Sequence, residues 1–84
     1  MVRILYFARL REAFGADREQ IALSPQIADI AGLLAHLRSR GGPWERELAP
    51  HRNFRVAVNQ EMAGIETKVA MGDEVALFPP VTGG

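Results

Sequence analysis

A chain of 84 residues has room for one small domain with a single modest hydrophobic core. Apolar residues make up 48% of it, which is usual for a globular domain and argues against intrinsic disorder. Ten basic and ten acidic side chains balance without a basic stripe, and no apolar run could cross a bilayer, so we expect neither a nucleic-acid nor a membrane partner.

The first predicted element is a strand over Val2 to Ala8, rich in β-branched, aliphatic and aromatic residues. Alternation places Val2, Ile4 and Tyr6 on one face and Arg3, Leu5 and Phe7 on the other. Apart from Arg3 both faces are apolar. One face therefore belongs to the core, and the other needs a cover, from this chain or from a partner.

A short helix is predicted next, over Arg9 to Phe14, with Gly15 closing it. Glu19 to Leu23 then alternates with Ile21 and Leu23 directed inward, which predicts a second strand. The connection between the two strands is too long for a tight hairpin, so the short helix lies within it.

The main helix is predicted from Ile30 to about Arg40, with Asp29 as its N-cap. A start at Ser24, with proline in the first turn, remains open as an alternative. Gly32 lies inside the helix and costs roughly 1 kcal/mol relative to alanine on propensity alone. The apolar stripe with helical spacing consists of Ile30, Leu33, Leu34 and Leu37.

The second half of the chain reads as short strands separated by turns. A helical turn, in which Trp44 and Leu48 can cover the core, comes first. The segments that follow are a strand over Phe54 to Val58 with Val56 and Val58 inward, a turn at 59–61, a short return over Met62 to Ile65, and a last strand over Glu74 to Phe78.

Together these elements predict a two-layer α+β domain with one main helix on one face of a mixed sheet of four to five strands. The first and last strands are the most apolar and should lie side by side in the centre of the sheet. That arrangement is the ubiquitin-like β-grasp. We expect residues 1–78 to form this domain and residues 79–84 to form a protruding tail.

The tail has a composition suited to entering another protein. Its residues are Pro79, Pro80, Val81, Thr82, Gly83 and Gly84. The prolines favour an extended arm that loses little entropy on ordering, with a reach of roughly 20 Å at about 3.3 Å per residue. Glycine leaves the terminal carbonyl carbon unhindered. The pattern therefore predicts chemistry on the carboxyl group of Gly84, and we expect mobility beyond Pro80.

Groups for self-contained catalysis are scarce elsewhere in the chain. Cysteine is absent, which excludes disulfides, thiolate metal sites and cysteine nucleophiles. His36 and His51 are far apart in sequence, so we expect no metal site. Met1 to Ile4 reads directly as a strand and not as a secretion signal, which predicts a cytoplasmic location.

Four segments of the chain resemble the small, sulfur-carrier subunits of molybdopterin synthase. They are Phe7 to Glu12 (Phe-Ala-Arg-Leu-Arg-Glu), Val58 to Gln60, Gly72 to Ala76, and Phe78 to Gly84 (Phe-Pro-Pro-Val-Thr-Gly-Gly). The closing seven residues are the most specific part of this resemblance, which runs from the first strand to the last residue.

The resemblance implies a sulfur-carrier function. A separate activating enzyme would use ATP to adenylate Gly84, a sulfurtransferase donor would convert it to a thiocarboxylate, and the tail would insert into a large subunit, with a heterotetramer expected. Sulfur would then pass to cyclic pyranopterin monophosphate to form molybdopterin. No stably bound cofactor is expected, and the chain would be a non-catalytic subunit without an active site of its own.

The second sheet face then becomes a predicted docking patch for these partners. Pairing of the terminal strands would bring Phe7 and Phe78 together, and Met62 would extend the apolar surface. The alternative is that the Trp44 region covers this face. The resemblance also suggests that Arg11 contacts the partner, although a solvated helix face explains that residue equally well.

Two other functions remain open on the sequence. A thiazole-pathway sulfur carrier would share the fold and the terminal Gly83-Gly84, but the segment from Phe7 to Glu12 and the chain length argue against it. A ubiquitin-like protein modifier would instead form isopeptide bonds through Gly84.

Overall fold

The computed structural model describes residues 1–80, which form one five-stranded mixed sheet and three helices. The strands are β1 (Val2–Tyr6), β2 (Arg18–Ile21), β3 (Arg55–Val58), β4 (Glu61–Met62) and β5 (Glu74–Phe78), and the helices are α1 (Ala8–Phe14), α2 (Ile30–Arg38) and α3 (Gly42–Glu47). The strand order is β2-β1-β5-β3-β4. As predicted, β1 and β5 are parallel neighbours in the centre, and this is the β-grasp arrangement.

The core lies between α2 and the inner face of the sheet. The alternation predicted for β1 and β5 is confirmed, because their inward side chains are at most 1% exposed: Val2, Ile4, Tyr6, Val75 and Leu77. The predicted stripe of α2 supplies the opposite wall, with Ile30, Leu33, Leu34 and Leu37 all buried.

The start of α2 is the one predicted, at Asp29. The Asp29 carboxylate accepts a hydrogen bond from the Gly32 amide at 2.8 Å and so satisfies one of the free donors of the first turn. The helix ends at Arg38, two residues earlier than predicted. The amides of Arg40 and Gly41 each bond to a carbonyl three residues back, so the last turn tightens and the helix cannot continue.

Two predicted strands have different bounds in the structure because strand pairing sets them. β2 ends at Ile21, not at Leu23, since Ile21 already faces Val2 at the start of β1 and Leu23 has no residue to pair with there. β4 comprises only Glu61–Met62, and the two-residue turn before it has positive φ at Asn59 (50°) and Gln60 (71°).

Two short helices complete the layer that carries α2. Gly15, with φ 69°, ends α1 in the left-handed conformation as predicted. Leu48 is fully buried, and the Trp44 ring stacks on Phe14 with centroids 3.8 Å apart and meets the edge of Tyr6 at 5.4 Å. Trp44 therefore packs with an inward residue of β1 and does not cover the opposite sheet face.

Candidate docking face and tail exit

An apolar row crosses the outer sheet face, the face opposite to α2. In the strand registers Leu5 lies beside Ala76, Ala76 beside Ala57, and Ala57 beside Met62. The row therefore spans four strands without a charged side chain, and Met62 at its end is 65% exposed. An uninterrupted apolar row on an exposed sheet face is a feature of interaction surfaces.

Phe7 and Phe78 form a second apolar row on this face. The Phe7 amide donates to the Leu77 carbonyl oxygen at 3.1 Å, which continues the parallel pairing by one residue and places Phe7 beside Phe78. Phe7 is 44% exposed and Phe78 is half-buried. We call Leu5, Phe7, Ala57, Met62, Ala76 and Phe78 together the outer patch.

Arginines border the outer patch on two sides. Arg18 faces Leu5 across the β1–β2 pair, and Arg55 faces Phe78 across the β3–β5 pair. Sequence reasoning missed both, although each lies in an alternating strand, because only the register shows which apolar residue it adjoins. The face therefore combines an apolar centre with an arginine on each of these two sides.

The tail leaves the sheet at the end of β5, between the end of β1 and the start of β3. Pro79 and Pro80 are half-buried and lie outside any helix or strand. The predictions for Val81, Thr82, Gly83 and Gly84, including mobility beyond Pro80 and the carrier role of Gly84, concern positions outside the described residues.

A charged bridge joins the two flanks of this exit. Arg9, at the start of α1, donates through Nη2 to the Asn53 carbonyl oxygen at 3.3 Å, and its Nε lies 3.2 Å from Glu47 Oε1. Arg52 Nη2 lies 3.0 Å from the same oxygen of Glu47, whose side chain is only 10% exposed. Segments on both sides of β5 are therefore fixed relative to each other where Pro79 departs.

Arg11 lies on α1 one helical turn beyond Phe7 and is exposed. Among residues 1–80 it takes part in no ion pair, in contrast to Arg9. The structure thus leaves its side chain exposed to solvent one turn of α1 beyond Phe7. Its contact with a partner stays a prediction.

Binding of a metal ion would need a cluster of ligating side chains. Within residues 1–80 no three histidine, cysteine, aspartate or glutamate side chains are grouped closely enough to hold a metal ion. None of the helices in these residues is both long and apolar enough to traverse a membrane.

Known proteins similar to this chain share its length and its topology. The chain is 39% identical to the molybdopterin synthase sulfur carrier subunit of Haemophilus influenzae over the whole of both chains. A solved structure of a putative molybdopterin converting factor subunit 1 from Pyrococcus furiosus matches with a TM-score of 0.80 and 29% identity, covering 95% of this chain and 97% of that one. SAMP1 from Haloferax volcanii matches with a TM-score of 0.79 and 30% identity, covering 99% and 98%.

These similarities confirm the resemblance to molybdopterin synthase sulfur-carrier subunits and the β-grasp fold. The family model described as the ThiS family matches residues 4–84, which is nearly the whole chain. The chain belongs to the ThiS family.

Proposed function

We propose that this protein is the sulfur-carrier subunit of a molybdopterin synthase and acts in molybdenum cofactor biosynthesis in the cytoplasm. The observation that carries the proposal is the full-length similarity to a molybdopterin synthase sulfur carrier subunit at 39% identity. The fold supports it, because a β-grasp body with an apolar outer patch and a proline-stiffened exit can present a terminal carboxyl group to other proteins.

The proposed loading reaction takes place on the carboxyl group of Gly84. A carboxylate oxygen attacks the α-phosphorus of ATP in the separate activating enzyme, pyrophosphate leaves, and an acyl adenylate forms. Hydrosulfide-level sulfur from a sulfurtransferase donor then attacks the carbonyl carbon, and AMP leaves with the original oxygen. The product is a thiocarboxylate, and ATP is consumed by the activating enzyme without binding to this chain.

The proposed transfer reaction takes place in the large subunit. The thiocarboxylate sulfur forms a bond to a carbon of cyclic pyranopterin monophosphate as a C–O bond at that carbon breaks, and the displaced oxygen leaves as water or stays on the phosphate. Water then cleaves the bond between the Gly84 carbonyl carbon and sulfur. The carboxylate is regenerated and the sulfur stays on the pterin. A dithiolene contains two sulfur atoms, so two loaded carriers are needed for each product, in agreement with a heterotetramer of two small and two large subunits.

In this proposal the tail residues make the arm long enough and narrow enough to enter the active site of a partner. Pro79 and Pro80 fix the direction in which the arm leaves β5 and reduce the entropy lost on insertion. Val81 and Thr82 continue the arm with modest side chains. Gly83 has no side chain, so a narrow channel can admit the reacting group.

The outer patch is the surface that we propose to dock the large subunit and, at another step, the activating enzyme. Its centre is apolar, and its most exposed members, Phe7 and Met62, lose the most water-accessible area on docking. The Arg11 amide bonds to the Phe7 carbonyl oxygen at 3.4 Å, and we propose that its exposed side chain contributes a charged contact to the partner.

An intact-mass measurement tests the carrier proposal. The protein is co-expressed with its activating enzyme and a sulfur donor, and we expect a mass increase equal to the replacement of one oxygen by sulfur. A variant lacking Gly84 is the control and should keep its unmodified mass. Adding the large subunit and cyclic pyranopterin monophosphate should reverse the increase. An unchanged mass with an active activating enzyme would contradict the proposal.

A substitution at Phe7 tests the docking patch separately. Phe7 occupies the N-cap position of α1 without a side-chain capping hydrogen bond, so aspartate there removes the apolar contact without breaking an existing cap. We expect Phe7→Asp to weaken capture by the large subunit at least tenfold, which corresponds to about 1.4 kcal/mol. Met71→Asp is the matched control, since Met71 is 75% exposed and lies outside the patch. Equal capture of both variants would exclude Phe7 from the interface.

A protein-modifier function is the second candidate, because SAMP1, described as a small archaeal modifier protein, has the same fold at 30% identity. In that case the activated carboxyl group of Gly84 would be attacked by a lysine amine, and AMP or a thiol would leave. The same mass experiment separates the two functions. Covalent adducts on lysines of other proteins, in place of a sulfur-for-oxygen exchange, would favour the modifier.

A further inference from the structure

The outer sheet face carries a surplus of positive charge beside the outer patch. Side chains alternate between the two faces along each strand, so the registers place four charged strand residues on this face: Arg3, Arg18, Arg55 and Glu74. Three of them are cations and one is an anion, although the formal net charge of the chain is zero. The strands therefore concentrate on this face a charge that the composition as a whole does not show.

Two carboxylates on the edge strands are directed to the opposite face and do not offset this surplus. Glu19 of β2 accepts a hydrogen bond from Tyr6, whose side chain is buried in the core. Glu61 of β4 lies beside Val58, which packs against the core from β3. Both strands thus present their acidic residue to the α2 side of the sheet.

The one carboxylate of these strands on the outer face is already paired. Glu74 lies beside Arg3 across the β1–β5 boundary, and their side chains approach to 3.4 Å. Arg18 Nη2 lies 3.6 Å from Asp17 Oδ2, and because these side chains are 74% and 59% exposed, the contact contributes little and is easily exchanged. Arg55 forms no ion pair with any of residues 1–80. Two guanidinium groups therefore remain available to a partner.

Arg18 and Arg55 lie on opposite sides of the outer patch. Arg18 is beside Leu5 and Arg55 is beside Phe78. β1 and β5 lie between their strands, so three strand spacings separate the two arginines across the sheet, and two residues separate them along it. At about 4.8 Å per strand spacing and about 3.3 Å per residue, their Cα atoms are roughly 15 Å apart, with apolar side chains between them.

Arg55 is the arginine at the root of the tail. Its neighbour Phe78 is the last residue of β5, and Pro79 follows directly. A protein that covers Phe78 while it admits the tail must also approach Arg55. A guanidinium group that loses water on docking without gaining an acceptor opposes binding, whereas a carboxylate opposite to it replaces the lost hydrogen bonds. The charge of the partner at this position therefore affects the affinity.

We propose that the large subunit served by this carrier has a docking surface with an apolar centre and two carboxylates, one facing Arg55 beside the entrance for the tail and one facing Arg18. The inference rests on the proposed sulfur-carrier function and extends it by naming the chemistry of the partner surface. Arg55 and Arg18 are then the residues that select among large subunits with similar apolar centres.

The affinity of the full chain for the large subunit, measured by surface plasmon resonance, tests this proposal. We expect Arg55→Gln to weaken binding about fivefold, mainly through slower association, because an attractive charge is lost. Arg46→Gln is the matched control, since it removes the same charge from α3 on the other side of the sheet and should change the affinity less than about twofold. Both variants should keep the melting temperature of the unaltered chain.

Salt dependence and charge reversal separate a charge contact from loss of side-chain packing. The association rate of the unaltered chain should fall as ionic strength rises, and that of a variant with both Arg18→Gln and Arg55→Gln should fall less steeply. Arg55→Lys should retain most of the association rate. Arg55→Glu should bind at least about tenfold more weakly, and lysine in place of one interface carboxylate of the large subunit should restore its binding.

Equal affinity of Arg55→Gln and Arg46→Gln would overturn the proposal, and so would an unchanged salt dependence in the double variant or the failure of every interface lysine to restore the binding of Arg55→Glu. These outcomes leave the sulfur-carrier function standing, because that function is measured by the mass change at Gly84. An unaltered chain that gains no sulfur would contradict the sulfur-carrier function, and this inference with it.

Discussion

At the scale of single residues, Glu19 joins three parts of the chain. It accepts a hydrogen bond from the Tyr6 hydroxyl at 2.7 Å and two from the Arg40 guanidinium at 2.8 and 2.7 Å. Arg40 also lies 4.4 Å from the ring centroid of Trp44. The hydrogen bonds from Arg40 lower the pKa of the Glu19 carboxyl group, and burial raises the pKa of the Tyr6 hydroxyl.

A pH-dependent loss of stability follows for Glu19→Gln. A carboxyl group whose folded-state pKa is depressed stabilises the fold above its unfolded value of about 4.5, and the contribution is lost as pH falls through the folded-state pKa. We expect the variant to lose about 1–2 kcal/mol of unfolding free energy at pH 7, and the difference from the unaltered protein should shrink in acid. Urea titrations of both proteins at pH 7 and in acid measure the difference in unfolding free energy under each condition. A difference that does not change with pH would contradict the prediction.

The sequence indicates to which sheet face the Glu19 side chain is directed, but not which side chains it binds. Alternation with Ile21 directs Glu19 to the inner face, where a charge requires partners. Those partners are 13 and 21 residues away along the chain, at Tyr6 and Arg40. No local spacing connects these positions, so only the folded arrangement reveals them.

At the scale of elements, Gly32 in α2 shows where helix propensity misleads. Propensity alone favours alanine by roughly 1 kcal/mol at this position. In the structure a Cβ atom on Gly32 would overlap the backbone carbonyl oxygen of Gln26, and it would also approach the capping carboxylate of Asp29 to 3.3 Å. The segment before α2 packs against the helix at this point, which leaves room for glycine only.

We therefore expect Gly32→Ala to destabilise the protein by about 1–3 kcal/mol, because the overlap displaces backbone and outweighs the gain in propensity. Ala35→Gly on the exposed side of the same helix is the comparison, and it should cost about 1 kcal/mol from propensity alone. Chemical denaturation of the two variants decides the point. A Gly32→Ala protein that is more stable than the parent would show that the Gln26 segment moves aside at little cost.

At the scale of the whole molecule, the β-grasp arrangement was predictable because two strands are apolar on both faces. Such strands must be central, which fixes β1 and β5 as neighbours and leaves α2 to cover one face. The exact registers were not predictable. They determine which arginines border the outer patch, so the surroundings of the patch became visible only in the fold.

Charge balance is also a property of the whole fold, since Glu47 links segments that are distant in sequence. Its carboxylate meets Arg9 from α1 and Arg52 from the segment before β3, on the two sides of the strand that leads into the tail. Arg46 Nε lies 3.7 Å from its second oxygen. Removing this carboxylate leaves like charges facing one another around a nearly buried position, which costs more than loss of an exposed ion pair.

We expect Glu47→Ala to lower the free energy of unfolding by about 1–2 kcal/mol, a value that allows for solvent screening at the exposed arginines. Glu45→Ala is the matched control, because Glu45 is exposed on the same helix and should matter by less than about 0.5 kcal/mol. The lost contacts are between charged groups, and Glu47→Ala leaves arginines unpaired. Added salt should therefore reduce the difference in unfolding free energy between the two variants, as measured by chemical denaturation. Equal stability of the two variants at low salt would mean that the arginines find other partners, and that Glu47 does not hold the two flanks of the tail exit together.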